Sequence, residues 1–326
     1  MTEAVPILEA RNLTKHFPVG RGLLAKPLGV VRAVDGVTFS IGPGKTLGLV
    51  GESGCGKTTT GKLVLRLEEP TGGALRFQGR DISALDNGGV RQYRRAVQAV
   101  FQDPFASLNP RMRVDAIIAE PLITHERLDA AEVGKRVSRL LDLVGLAERS
   151  AKLFPHEFSG GQRQRIAIAR SLALSPRLVV LDEPVSALDV SIRAQILNLL
   201  RDLQAQLGLS YLFIAHDLAA VAHMSHTIAV MYLGQIVEIG DAATIATRPK
   251  HPYTQALFAA ALPSHPSEPR EELVLTGEVP SPLNPPLACR FHPRCPHVMP
   301  RCSTEEPVLR EVEGRQVSCH LYASPA

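Results

Sequence analysis

No run of about 18 or more consecutive apolar residues, the length that spans a bilayer, occurs anywhere in this sequence. The start, Met1-Thr2-Glu3-Ala4-Val5-Pro6, lacks the basic and apolar stretches of a secretory leader. The chain is therefore expected in the cytoplasm, with any membrane role supplied through a partner. A massed basic face is also missing. The formal net charge is only +4, and Lys and Arg are scattered except near Arg91–Arg95 and Arg163–Arg170. That distribution argues against a nucleic-acid partner. No internal repeat is visible, which excludes two tandem copies of one unit. Cysteine is sparse: Cys55 stands alone, and Cys289, Cys295, Cys302 and Cys319 gather near the C-terminus. A reducing compartment disfavours disulfides, so that group reads as a metal site.

What remains is an ordinary folded composition. At 326 residues and 45% hydrophobic content, the chain has room for one large domain and a smaller one. Ile7–Leu13 and Val34–Ile41 alternate apolar and polar residues, which predicts half-buried strands. The Gly-, Pro- and base-rich segment Pro18–Val31 between them predicts a loop insertion. Thr46–Val50 predicts a short strand that turns through glycines into a helix over Thr58–Leu67. Val114–Leu146 has apolar residues at helical spacing and predicts a helical subdomain within an α/β core, spanning about 90–175. Leu178–Leu181 and Tyr211–Ala215 read as buried strands, Ser191–Leu207 as an amphipathic helix, and Ile228–Leu233 with Ile236–Ile239 as a hairpin turning at Gly234. Beyond about residue 245 proline becomes frequent and apolar periodicity fades, which places a boundary there and divides the chain into 1–245 and 246–326.

The strongest local signal is Gly51-Glu52-Ser53-Gly54-Cys55-Gly56-Lys57-Thr58, which fits G-x-x-x-x-G-K-[ST]. Glycines let backbone N–H groups curl around phosphate oxygens, and a helix opening directly behind them adds a favourable dipole. Lys57 supplies a compact charge to the β- and γ-phosphates, and Thr58 a hydroxyl to Mg²⁺. Cys55 reads only as a small loop residue. A second signal is Leu178-Val179-Val180-Leu181-Asp182-Glu183, a buried strand ending in two carboxylates. Ligands of parallel sheets sit at such strand ends. Asp182 suits Mg²⁺, and Glu183 suits polarisation of an attacking water.

Further segments narrow the class. Phe158-Ser159-Gly160-Gly161-Gln162 resembles the ABC signature, usually written L-S-G-G-Q, here with Phe first. Gln162-Arg163-Gln164-Arg165-Ile166-Ala167-Ile168-Ala169-Arg170 follows it, as in that family. Val100-Phe101-Gln102-Asp103-Pro104 resembles the Q-loop, Ser186-Ala187-Leu188-Asp189 the D-loop, and Ile214-Ala215-His216-Asp217 the switch-histidine segment. The chain thus resembles ABC transporter ATPases over residues 5–325. The resemblance implies an ABC-type P-loop core that binds ATP and Mg²⁺. It assigns nucleotide contacts to Phe17, to Gly51 through Thr59, and to Ser159–Gln162 of a second subunit. It also assigns Mg²⁺ contacts to Thr58, Gln102 and Asp182, and catalytic roles to Glu183, His216 and Gln102. His16 competes with Phe17 for the adenine ring.

Asp103-Pro104-Phe105-Ala106-Ser107-Leu108-Asn109-Pro110-Arg111-Met112, Glu183-Pro184-Val185-Ser186-Ala187-Leu188-Asp189-Val190-Ser191 and His251-Pro252-Tyr253-Thr254 resemble segments of the dipeptide and oligopeptide importer ATPases. This implies a motor at the cytoplasmic face of the membrane. Its implied partners are a second, different ATPase subunit, two permeases and, indirectly, a substrate-binding protein. Phe105 to Asn109 would then face the permease. Nickel importers share this subfamily's architecture and stay open as an alternative. A non-transport ABC ATPase acting on DNA or ribosomes would be expected to carry a coiled coil or a second motor, and neither is visible.

The cysteines are spaced C-x5-C, C-x6-C and C-x16-C, without the close pairs of typical zinc sites. Four thiolates suit Zn²⁺ or an iron–sulfur cube. The family resemblance implies a [4Fe–4S] cluster on this extension. His292, His297 and His320 keep mixed ligation open, and Arg290 and Arg294 read as charge balance for a cluster or as solvated.

Overall fold

The computed structural model describes residues 5–20, 29–103, 107–261 and 277–323. They fall into two compact units. One comprises the N-terminal stretch to Ile7, Ile41–Lys45 and Phe77–Phe213; the other comprises Leu8–Ser40, Thr46–Arg76 and Ile214–Ala326.

The first unit holds three adjacent strands in the order β8 (Ser210–Ile214), β7 (Leu178–Asp182) and β6 (Val97–Val100). β6 and β7 run parallel, with Val97 opposite Leu178 and Val100 opposite Leu181. Residues Leu178–Leu181 and all five residues of β8 are buried. Near-continuous apolar runs are what strands covered on both faces require. Three helices pack on one another here: α3 (Val114–His125), α4 (Ala130–Leu143) and α5 (Gly160–Leu172). α3 turns Val114, Ile117, Ile118 and Leu122 inward, and α4 turns Val137, Leu140 and Leu141. This i, i+3, i+4 spacing made the segment legible as helical. Short polar side chains fix the starts. Asp86 caps α2 (Asn87–Ala96) through the Gly89 amide, and Asp129 caps α4 through the Glu132 amide. α6 (Val190–Leu207) stops at Gly208, whose φ of 66° ends the helix without Cβ strain.

The second unit contains β2 (Gly29–Ile41), β1 (Leu8–Val19) and β4 (Gly72–Phe77) side by side. β1 and β2 are longer than their alternating cores. The expected loop Pro18–Val31 is strand at both ends, and its residues 21–28 lie outside the described ones. A second run has the order β11 (Arg310–Val312), β12 (Arg315–Val317), β10 (Gln235–Asp241), β9 (Thr227–Tyr232) and β3 (Thr46–Val50). β3 and β9 are parallel, with Leu47 opposite Thr227. β9 and β10 form the expected hairpin, turning at Leu233 and Gly234, both at positive φ. β3 leads into α1 (Lys57–Val64), which ends earlier than the predicted Leu67 because Leu65 caps it.

The C-terminal stretch is more regular than its composition implies. α8 (Ala242–Thr247) and α9 (Pro252–Ala261) are helices, and β11–β12 add an antiparallel pair to the edge of β10. α9 escaped a periodicity reading because Tyr253, Thr254, Ala256 and Phe258 are all buried. A helix enclosed this widely shows no polar face. Glu238 and Arg315 form a buried pair across β10 and β12, 0% and 1% exposed, and Glu238 also accepts the Lys250 and His251 amides.

His251 lies in the same core, and burial pushes its pKa down to about 3. Its Nδ1 accepts the Tyr253 amide hydrogen at 3.1 Å, as a neutral ring does. The unfolded chain protonates this imidazole below pH about 6.5 while the folded chain resists. The ring therefore subtracts stability as pH falls from about 6.5 towards about 3. Between pH 7 and pH 5, urea denaturation is expected to show about 2 kcal/mol more loss for the parent chain than for His251→Gln. Identical losses would contradict this enclosure.

Candidate functional site

In the second unit the loop between β3 and α1 is shaped by what it has no room for. A Cβ on Gly51 would stand 2.1 Å from the Met231 carbonyl oxygen, and one on Gly56 2.1 Å from that of Ala33. Their φ values, 149° and 111°, lie where side chains are strained. Gly56 is the N-cap of α1, so the helix N-terminus opens directly from the loop. Lys57 is 7% exposed, and its ammonium donates to the carbonyls of Gly51 at 2.7 Å and Glu52 at 2.9 Å. Its charge is thus stored against the loop's own backbone. Cys55 is buried behind the loop, and burial raises its thiol pKa.

Glu52 ties the loop to the C-terminal region. Its amide donates to the Tyr253 hydroxyl at 2.8 Å, and its carboxylate takes both arms of Arg294 at 2.8 and 3.1 Å. Arg290 donates to the Leu233 carbonyl and to Asp35, which also bonds the His16 ring at 2.9 Å. The Arg290 and His16 bonds hold the Asp35 carboxyl below its usual range despite the opposing effect of burial. Neither arginine is solvated, since each is 7% exposed. Sequence reading missed the Glu52–Tyr253, Glu52–Arg294 and Asp35–Arg290 anchors because each joins residues more than 200 positions apart; only the His251–Thr254 segment hinted at one. His16 is committed to Asp35, whereas Phe17 is half-buried with Lys15 Nζ 4.8 Å from its ring centre. His216 is exposed at the end of β8, and the next residue, Asp217, caps α7 (Leu218–Met224).

In the first unit, Asp182 and Gln102 line one open cavity. Glu183 has φ 50°, a left-handed conformation that costs a non-glycine residue energy and turns the chain sharply off the strand end. The Ser186 amide and hydroxyl both donate to the Glu183 carbonyl, holding that turn. At Ser159–Gln162 a capping box opens α5. The Ser159 amide donates to Gln162 Oε1 at 3.0 Å, and the Gln162 amide to Ser159 Oγ at 3.4 Å. A Cβ on Gly161 would meet Ile192 Cγ2 at 2.4 Å, so a side chain here would require Ile192 to shift. Phe158 is buried, so it anchors the segment that exposes Ser159 and Gln162. Of the Phe105–Asn109 patch, Phe105 and Ala106 lie outside the described residues; Ser107 accepts Arg170 at its carbonyl.

The cysteine region is held by short 3₁₀ turns at His292–Arg294, Pro300–Ser303 and His320–Tyr322. The Cys289 amide donates to the Cys302 carbonyl at 3.1 Å. Burial, reinforced by the neighbouring thiols, pushes Cys289 and Cys319 up to about 11 and raises Cys295 as well. Cys289 registers the charge of the other three, Cys319 that of Cys295 and Cys302, and Cys295 that of Cys302, so they share one neighbourhood. His292 and His320 rings bond the carbonyls of Cys289 and Glu305. Among the described residues, no three His, Cys, Asp or Glu side chains form a group suited to a metal ion, and this holds for the zinc and the iron–sulfur readings alike.

Two family profiles match: "ABC transporter" over residues 34–186, and "Oligopeptide/dipeptide transporter, C-terminal region" over residues 237–302. The oligopeptide transport ATP-binding protein AppF of Bacillus subtilis is 50% identical over 97% of this chain and 98% of its own length. The dipeptide transport ATP-binding protein DppF of Escherichia coli is 49% identical over 96% and 94%. The chain belongs to the ABC transporter ATPase family. Among solved ABC cassettes, the dimeric MJ0796 cassette bound to ADP and Pi matches with a TM-score of 0.63 at 28% identity, covering 72% of this chain and 98% of that one. CbiO1 of Clostridium perfringens matches at 0.65 and 26%, covering 75% and 92%. This ABC ATPase thus has the P-loop fold of an ATP- and Mg²⁺-dependent cassette. No helix among its described residues is long and apolar enough to cross a membrane.

Gly56→Ala forces a Cβ onto the Ala33 carbonyl at a strained φ. It is expected to weaken MgATP binding at least about tenfold and to lower the melting temperature by several degrees. Calorimetry and a thermal scan check this, and wild-type affinity would contradict the assigned backbone geometry.

Proposed function

We propose that this chain is the ATP-hydrolysing subunit that powers uptake of di- and oligopeptides, working at the cytoplasmic face of the membrane. The observation that carries the cargo class is the near-full-length similarity to peptide-transport ATPases, together with the C-terminal match over residues 237–302. Residues 1–245 act as the nucleotide-binding domain, with the helical subdomain at about 90–175, and 246–326 as the extension. The working partners in this reading are a second, different ATPase subunit, two permeases and, indirectly, a substrate-binding protein. Each nucleotide is read between one subunit's Gly51–Thr59 loop and the other's Ser159–Gln162 segment. The adenine rests on Phe17.

Lys57 leaves its backbone carbonyls for the β- and γ-phosphates, and Thr58, Gln102 and Asp182 would hold Mg²⁺, which would neutralise phosphate charge. Glu183 orients a water for in-line attack on the γ-phosphorus, and His216 steadies the transferring group. The bond to the β-γ bridging oxygen breaks, giving ADP and inorganic phosphate. Positioned charge supplies most of the acceleration. Four thiols in one neighbourhood suit a multi-iron group that takes one thiolate per iron, and we read Cys289, Cys295, Cys302 and Cys319 as [4Fe–4S] ligands. The group is a structural staple in this reading.

Glu183→Gln is expected to retain MgATP affinity within about threefold and to lose at least about 100-fold in steady-state turnover. Unchanged turnover would refute its role. Anaerobically purified protein is expected to be brown, with about four irons per chain; one zinc per chain would refute the iron–sulfur reading. Peptide uptake in cells carrying the matching permeases checks the cargo, and nickel uptake without peptide uptake would overturn it.

A further inference from the structure

The phosphate loop contains a charge that opposes its task. A loop that gathers triphosphate oxygens gains from each N–H and cation, whereas a carboxylate directly after Gly51 adds like charge. Glu52 supplies that carboxylate, and its neutraliser comes from far along the chain. Arg294 sits 242 residues away in sequence, in the His292–Arg294 turn, and binds both carboxylate oxygens in a fork. Its side chain is 6% exposed against 26% for Glu52. Tyr232 steadies the guanidinium, with its hydroxyl at 3.5 Å and its ring centre 6.0 Å from the guanidinium carbon. Glu52 is also the residue whose carbonyl accepts Lys57 at 2.9 Å and whose amide binds Tyr253 at 2.8 Å. One residue therefore carries both the unfavourable charge and the lysine's resting place.

We propose that Arg294 is a positioning residue for nucleotide binding: by neutralising Glu52 and fixing its backbone, it sets the affinity of the loop for nucleotide phosphates. This rests on the reading of Gly51–Thr58 as the phosphate site. The C-terminal region thereby takes part in nucleotide binding without touching the nucleotide.

MgADP titrations of the full chain by calorimetry test it. Arg294→Gln is expected to bind at least about tenfold more weakly, with Arg294→Lys in between. Adding Glu52→Gln to Arg294→Gln is expected to restore affinity to within about threefold of the parent, because the offending charge is gone. The loss in Arg294→Gln is expected to shrink as salt rises from about 50 to about 500 mM. A merely structural role would show neither rescue nor this salt dependence. Parent-like affinity in Arg294→Gln, or a double variant as weak as the single, overturns the proposal. If Arg294→Gln does not fold, Glu52→Gln alone decides: equal or tighter binding supports the proposal, and a tenfold loss overturns it. Lys57→Ala separates the two levels. Its abolished binding beside an unaffected Arg294→Gln sinks only this inference, whereas parent-like binding in Lys57→Ala sinks the phosphate-site reading itself.

Discussion

The passage from Val50 into α1 has room for backbone and nothing more. The carbonyls of Met231 and Ala33 stand where side chains on Gly51 and Gly56 would begin. β9 and β2 therefore act as walls that mould the loop. The rest of the second unit supports that mould. β10 pairs with β9 and carries the buried Glu238–Arg315 link to β12. Tyr232, Tyr253 and Phe291 form one aromatic cluster, and His251 stacks obliquely on Phe291. Tyr253 and Arg294 reach from that cluster to Glu52. The segment bearing Cys289 and Cys295 is the one bearing Arg290 and Arg294, so the region that holds the thiols also grips the strands and loop around the phosphate site.

The first unit carries constraints of its own. Glu183 occupies a left-handed conformation just past a strand whose Leu178–Leu181 are buried, and such strain is typical of residues fixed for function. Gln102 and Asp182 meet at one cavity. The Ser159–Gln162 box satisfies its helix start internally while leaving both side chains at the surface, as a segment serving another subunit would need.

Much of this was legible in the sequence because it is local. The Gly51–Thr58 turn, the Leu178–Glu183 strand end, the Ser159 cap and the hairpin at Gly234 are each specified by residues close together in the chain. What escaped was non-local or unpatterned. α9 hid because its enclosure leaves no polar stripe, and β11–β12 because three-residue strands carry little periodicity. Arg290 and Arg294 looked like cluster counter-charge, and only tertiary contacts reveal their commitment to Asp35 and Glu52. The choice between His16 and Phe17 was likewise undecidable by spacing; the tertiary fold adds that the His16 ring bonds Asp35.

Hydrogen exchange on the intact chain, with and without MgADP, tests most directly whether the C-terminal region is mechanically part of the phosphate site. The account predicts that slowed exchange across Glu52–Thr58 is accompanied by slowed exchange around Tyr253 and across Cys289–Cys295. Protection confined to the loop, with the C-terminal region unchanged, would contradict it.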